Sequence, residues 1–186
     1  MNPRLYRIEL TRTGINRFHD LQAAHGSIAE ATEQSWTRVL WAQPRKNLLI
    51  VRSDTFTPHS GLFREVHHAP YEVNTSHGDT ITISTIINPV MTRNRDRKRV
   101  LVPPEETTRW LAHRLRGAVN LTHVTVDHLG PRKGKRGNMT VTIAWRAVHA
   151  TATVNDPNKL HTLTQDGIGR GRAYGCGLLL IHGARS

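Results

Sequence analysis

Two sets of residues in this chain have types that could carry chemistry: a glycine–arginine segment near the C-terminus and twelve scattered histidines. The segment runs Gly167-Ile168-Gly169-Arg170-Gly171-Arg172-Ala173-Tyr174-Gly175-Cys176-Gly177 and leads into Leu178-Leu179-Leu180-Ile181. Glycine admits positive φ and close backbone approach. Backbone N–H groups beside arginines suit phosphate oxygens. Gly167, Gly169, Arg170, Gly171 and Arg172 are therefore candidate anion-binding residues, against the alternative of a connection that only turns the chain. Residues 158–165 predict a helix and 176–181 a buried strand. The loop thus runs from helix to strand, the reverse of a dinucleotide-binding turn. No Gly-Lys-Ser/Thr follows it, so it is not a P-loop. Among the histidines only His67 and His68 are adjacent, and no His-Glu-x-x-His or Cys-x-x-Cys spacing occurs. Neither a metal nor a small-molecule cofactor is expected.

These groups sit in a chain of 186 residues, enough for one large domain or two small ones. Lysine and arginine number 26 against 14 acids, a formal charge of +12 that favours a polyanionic partner. With 37% hydrophobic residues the chain has a packed core rather than a disordered basic tail. The single cysteine, Cys176, rules out an internal disulfide and suits a reducing compartment. No apolar run reaches transmembrane length and the first residues start no signal peptide. The expectation is a cytoplasmic protein with no membrane partner.

The elements that must position the candidate residues follow from periodicity. Leu5, Tyr6, Ile8 and Leu10 predict a first strand. A helix follows within 15–34, starting at Asp20 or nearer Thr13, with Phe18, Leu21, His25, Ile28 and Thr32 on one face. Strands are predicted at 39–41 and 48–51 around a hairpin turn at 44–47, a short helix at 61–68 and a weak strand at 71–74. A boundary falls at Ser76-His77-Gly78-Asp79. Isoleucine then alternates with threonine or serine over 80–87 and stops at Asn88-Pro89. Pro103-Pro104-Glu105-Glu106 opens a helix that Gly117 ends. A strand at 121–128, a basic loop at 130–137, a strand through Met139, Val141, Ile143 and Trp145, the helix at 158 and the last strand complete the chain. Both halves read βαββαβ. The expected fold is α+β, two tandem ferredoxin-like domains at 1–76 and 79–186.

Two basic runs lie in the second half: Arg93, Arg95, Arg97, Lys98 and Arg99, then Arg132, Lys133, Lys135 and Arg136. One such run alone is best explained as a solvated loop. Two, together with Arg170 and Arg172, point to an RNA face, because an A-form stem is recognised through backbone and shape. The tryptophans and tyrosines fall mostly at predicted core positions, which argues against stacking on single strands as the main mode.

The segment Gly-Ile-Gly-Arg-Gly-Arg-Ala-Tyr-Gly-Cys-Gly-Leu-Leu resembles the C-terminal signature of the CasE family, the CRISPR repeat-processing endoribonucleases of type I-E Cascade. The strand ending in Asn88-Pro89, Lys98-Arg99-Val100, Trp110-Leu111 and Arg38-Val39-Leu40-Trp41 are similar in order. The resemblance implies two ferredoxin-like domains and metal-independent cleavage at the base of a repeat stem by 2′-hydroxyl attack. It also implies retention on the crRNA 3′ hairpin beside other Cascade subunits. It marks His25 as the catalytic histidine, with Ile28 three positions on, and His19 as the alternative. Gln22 stands where the family often has a tyrosine, so a non-catalytic hairpin-binding subunit stays open, as does an unrelated basic ribosome-associated protein. On its residues alone, His25 also fits a half-buried helix histidine among Phe18, Leu21 and Ile28. A phosphorane needs a nearby donor or cation. Lys46, Arg45, Ser27 and Tyr174 are the candidates, unranked.

Overall fold

The structure, a computed structural model, describes residues 3–58 and 61–183, without the side chain of Arg136. Strand β1 (Arg4–Leu10) buries Tyr6, Ile8 and Leu10 on one face. The expected first helix is two helices, because two residues compete to cap it. Thr11 accepts the Gly14 N–H at 3.1 Å and starts α1 (Arg12–Arg17). Asp20 accepts the Ala23 N–H at 2.8 Å and starts α2 (Leu21–Ala31). Strands β2 (Leu40–Arg45) and β3 (Leu48–Ser53) form the expected hairpin.

The segment expected as a helix at 61–68 is instead strand β4 (Phe63–Pro70). Phe63 and Val66 mimic a helical stripe, but β1 offers a free edge and takes the segment antiparallel, with Val66 opposite Ile8. No strand forms at 71–74. The first sheet has the order β2-β3-β1-β4.

The second half begins with β5 (Thr80–Ile87), where the alternation placed it. A two-stranded ribbon, β6 (Val90–Thr92) and β7 (Arg99–Leu101), carries the first basic run at its tip. A 3₁₀ turn at Pro104–Glu106 leads into α3 (Thr107–Arg114). Strands β8 (Val119–Arg136) and β9 (Met139–Val154) form one long hairpin, then come α4 (Pro157–Asp166) and β10 (Leu180–His182). The second sheet has the order β10-β5-β9-β8. Counted within each four-stranded sheet, both place the strands fourth, first, third, second. This is the tandem ferredoxin-like fold, with the second helix missing from the first half.

The basic loop expected at 130–137 is the distal half of β8. Val141 and Ile143 pack against the core, and the basic segment is their ladder partner, Arg132 opposite Ile143 and Gly134 opposite Val141. This arm lies across the start of α2. The Lys135 N–H donates to the second oxygen of Asp20 at 3.2 Å. A Cβ on Gly134 would stand 2.6 Å from the Gln22 nitrogen, so only glycine lets the two backbones meet.

The two cores are shared unequally. One gathers Ile81, Ile83, Leu111, Leu160 and Leu179 between the second sheet and its helices. The other joins Tyr6, Phe18, Leu21 and Trp41 to Ile86, Ile143, Trp145, Cys176 and Leu178. Residues 176–179, expected within the last strand, are buried and run beside β5, the Gly177 N–H donating to the Ile86 carbonyl at 2.7 Å.

Candidate functional site

The glycine–arginine loop is shaped by tryptophans. The Trp41 indole N–H donates to the Ala173 carbonyl at 3.2 Å and that of Trp145 to the Tyr174 carbonyl at 3.1 Å. The two indoles meet edge to face, centroids 6.4 Å apart. Gly175 lies against both at φ +77°, and a Cβ there would stand 2.9 Å from each ring. A Cβ on Gly169 would stand 2.8 Å from Trp110. Glycine at these positions is thus required by packing inside the protein, before any ligand arrives. Arg172 is also engaged, donating to the Asp166 and Gly167 carbonyls at 3.2 and 3.4 Å and so closing the C-terminal end of α4. Arg170 is exposed and has no side-chain partner among the described residues.

The indole hydrogen bonds aim Tyr174 at α2. Its hydroxyl donates to Gln22 Oε1 at 3.2 Å, and its ring meets the ring of His25 edge-on, centroids 5.6 Å apart. Gln22 and His25 are three residues apart on α2, on one face of the helix. His25, Tyr174, Gly169, Arg170, Gly171 and Arg172 line one cleft of about 710 Å³, floored by Trp41.

His19 opens into a different cleft, of about 660 Å³, with Asn16, Arg45, Lys46 and Arg132, walled by Trp145. Of the four candidates for stabilising a phosphorane, the structure therefore brings only Tyr174 to His25. Arg45 and Lys46 accompany His19. Ser27 lines neither cleft: it is buried, donates to the Ala23 carbonyl at 3.0 Å and accepts from Arg17 at 3.3 Å.

The basic runs divide in the same manner. Arg93, Arg95, Arg97, Lys98 and Arg99 are exposed on the β6–β7 ribbon, where Asp96 binds Arg93 with both oxygens and accepts the Lys98 N–H at 3.1 Å. Lys133 and Lys135 are exposed on β8, and the side chain of Arg136 lies outside the described residues. Arg132 turns inward. It donates to the Phe18 carbonyl and, at 3.4 Å, to Gln43, and its guanidinium lies 4.5 Å from the Trp145 ring centroid. Burial lowers its pKa from the usual arginine value. It braces the arm against α1 rather than facing solvent.

Gln22 is a site residue that sequence reasoning undervalues, and Trp36 is a surface residue that it misplaces. Gln22 stands out in the sequence only as a substitution, although its spacing from His25 puts both on one helical face. Residue type alone groups Trp36 with the core aromatics, yet it is 93% exposed. Among the described residues no group of three His, Cys, Asp or Glu side chains could hold a metal, and no helix is long and apolar enough to cross a membrane.

A family model described as CRISPR associated protein matches residues 5–182. The chain belongs to that family. The CRISPR-associated chain is similar in structure to the CRISPR endoribonuclease Cse3 bound to a 19-nucleotide RNA, at TM-score 0.86 and 20% identity over 97% of this chain and 99% of that one. Thermus thermophilus Cse3 bound to an RNA representing a pre-cleavage complex matches at TM-score 0.82 and 20% identity, over 98% and 100% of the two chains. Cas6e from Escherichia coli K-12 matches at TM-score 0.77 and 19% identity, over 96% and 98%. No curated sequence matches the chain.

Proposed function

We propose that this protein is a cytoplasmic endoribonuclease that binds the stem-loop of a CRISPR repeat transcript, cuts once at the base of the stem without a metal, and stays on the crRNA 3′ hairpin as a Cascade subunit. The fold shared with RNA-bound Cse3 supports this reading. The observation that carries it is the meeting of His25 and Tyr174 in one cleft beside Arg170.

His25 accepts the proton of the ribose 2′-hydroxyl as its oxygen attacks the adjacent phosphorus. The bond to the 5′-oxygen breaks, leaving a 2′,3′-cyclic phosphate, and a proton is delivered to the leaving oxygen. Tyr174 exchanges Gln22 for a non-bridging oxygen and, with Arg170, offsets the charge that builds on the phosphorane. The exposed cations of the β6–β7 ribbon and of β8 hold the stem through its phosphates.

The test is single-turnover cleavage of a matched repeat hairpin in excess EDTA, beside the same RNA with a 2′-deoxy ribose 5′ to the scissile phosphate. Cleavage of the first and not the second is expected. Loss in EDTA that Mg²⁺ restores, with the RNA shown to stay folded, overturns metal independence. Cutting of the 2′-deoxy RNA at the usual rate makes water the nucleophile. Gln22 gives a second reading its footing: tight binding with neither RNA cut makes the chain a hairpin-binding subunit.

A further inference from the structure

Trp36 breaks the pattern of the other tryptophans. Trp41, Trp110 and Trp145 each spend their indole N–H on a backbone carbonyl. Trp36 has 93% of its surface in water. A large aromatic held in solvent gains nothing for the fold.

The loop that carries it is nevertheless built. The carboxylate of the buried Asp54 accepts hydrogen bonds from the Ser35 hydroxyl, from the Trp36 N–H at 3.2 Å and from the Thr37 hydroxyl at 3.2 Å. Burial alone would raise the pKa of Asp54, but these donors hold it below the usual aspartate value. Three consecutive residues are thus tied to one charged anchor, and the indole is the part left projecting.

The loop runs beside the His25 cleft. Residues on both sides of Trp36, Thr32 and Glu33 before it and Arg38 and Val39 after it, line the cleft that contains His25 and Tyr174. The Trp36 Cα stands at most about 7 Å from that of Arg38, two residues on. Arg38 is paired with Asp166 at 3.8 Å and Glu33 leaves one negative charge in excess, so this rim does not attract a phosphate. A nucleobase is neutral, flat and apolar on its faces, and an exposed indole on an anchored backbone suits it.

Resting on the function proposed above, we infer that Trp36 is a stacking platform for an unpaired nucleotide next to the base of the bound stem. The paired stem is held by cations. The strand that leaves it crosses the rim of the cleft and lays one base on the indole, which fixes where the stem ends relative to His25.

The experiment uses the full chain and three hairpins with a 2′-deoxy ribose at the cleavage position: a bare stem-loop, one with a few unpaired nucleotides 5′ of the stem and one with them 3′. One extension should raise wild-type affinity by about 5- to 150-fold. Trp36→Ala should lose that gain and bind the bare stem as before, while Trp36→Phe should keep most of it. 2-Aminopurine next to the stem should be quenched by the wild type and not by Trp36→Ala. No gain from either extension, or a gain that survives in Trp36→Ala, overturns the inference and leaves the hairpin reading standing. Equal loss on all three RNAs makes the residue a stem-binding group and also overturns it. If Trp36→Ala binds every RNA normally but fails to join the other subunits, the indole belongs to a protein interface and the inference is wrong. A wild type that binds no hairpin defeats both readings together.

Discussion

The two histidine clefts each take one member of a touching tryptophan pair, and they are equipped differently. Trp41 floors the first and Trp145 walls the second. The first has a hydroxyl beside its histidine and, among the described residues, one lining arginine without a side-chain partner, Arg170. The second has two exposed cations, Arg45 and Lys46, but no side chain among the described residues holds the ring of His19. Proton transfer needs a group in one place, whereas holding a polyanion needs charge and tolerates looseness. Under the function proposed above, the contrast favours the His25 side for the chemistry and the His19 side for a share of the RNA binding.

The most forceful way to break that assignment is a pair of single substitutions. His25→Ala should slow single-turnover cleavage by about 100- to 10,000-fold with hairpin affinity little changed, and His19→Ala should cut at close to the wild-type rate. A slow His19→Ala with an intact His25→Ala would exchange the roles of the two clefts.

A smaller effect sharpens the other half of the contrast. Replacing Arg45 and Lys46 with alanine should weaken repeat and unrelated hairpins alike. The slope of log affinity against log salt should fall by about 0.7–0.9 for each phosphate that is no longer neutralised. Cleavage at saturating RNA should keep its rate. A loss confined to the repeat hairpin would make these residues readers of sequence, and an unchanged slope would turn the second cleft away from RNA.

The smallest effect concerns the residue that joins the arm to α2. Asp20 caps α2 and receives the Lys135 N–H. The Ala23 N–H, ahead of burial, which acts the other way, and the Lys135 N–H, holds its pKa below the usual aspartate value. A depressed folded pKa contributes stability that is present above the ordinary aspartate range and is lost as pH falls through the folded value. Asp20→Ala should therefore cost about 1 kcal/mol at pH 7, and its Tm should converge on the wild type as the pH drops below about 4. A gap that persists in acid would show that the side chain acts through packing rather than charge.

Local signals in the sequence were sufficient for much of the fold. The isoleucine alternation of 80–87 and the Asp20 cap are decided by neighbours in the chain, and both are where the sequence placed them. The errors arose where a distant strand decided. The segment at 63–70 is a strand only because β1 has an edge to fill, and the basic residues of β8 are ladder only because β9 pairs with them. The packing role of Gly169 and Gly175 is not legible locally, because Trp41, Trp110 and Trp145, which they lie against, are far away in sequence. His25 and Tyr174 are both legible as candidates, but nothing local could bring them together or set them apart from Arg45 and Lys46.

The core that Trp41 and Trp145 share has a consequence for synthesis. Gln22 and Tyr174 are separated by 152 positions. At about 5–20 residues per second, roughly 8–30 s pass between their appearance on the ribosome. For most of that interval Phe18, Leu21 and Trp41 lack Ile143 and Trp145, and for all of it they lack Cys176 and Leu178, to cover them. The nascent chain therefore spends that interval with an open apolar face, a substrate for holding chaperones. The cleft of His25 closes only as the glycine–arginine loop and β10 emerge, so a truncated or stalled product carries His25 without the Tyr174 hydroxyl set beside it.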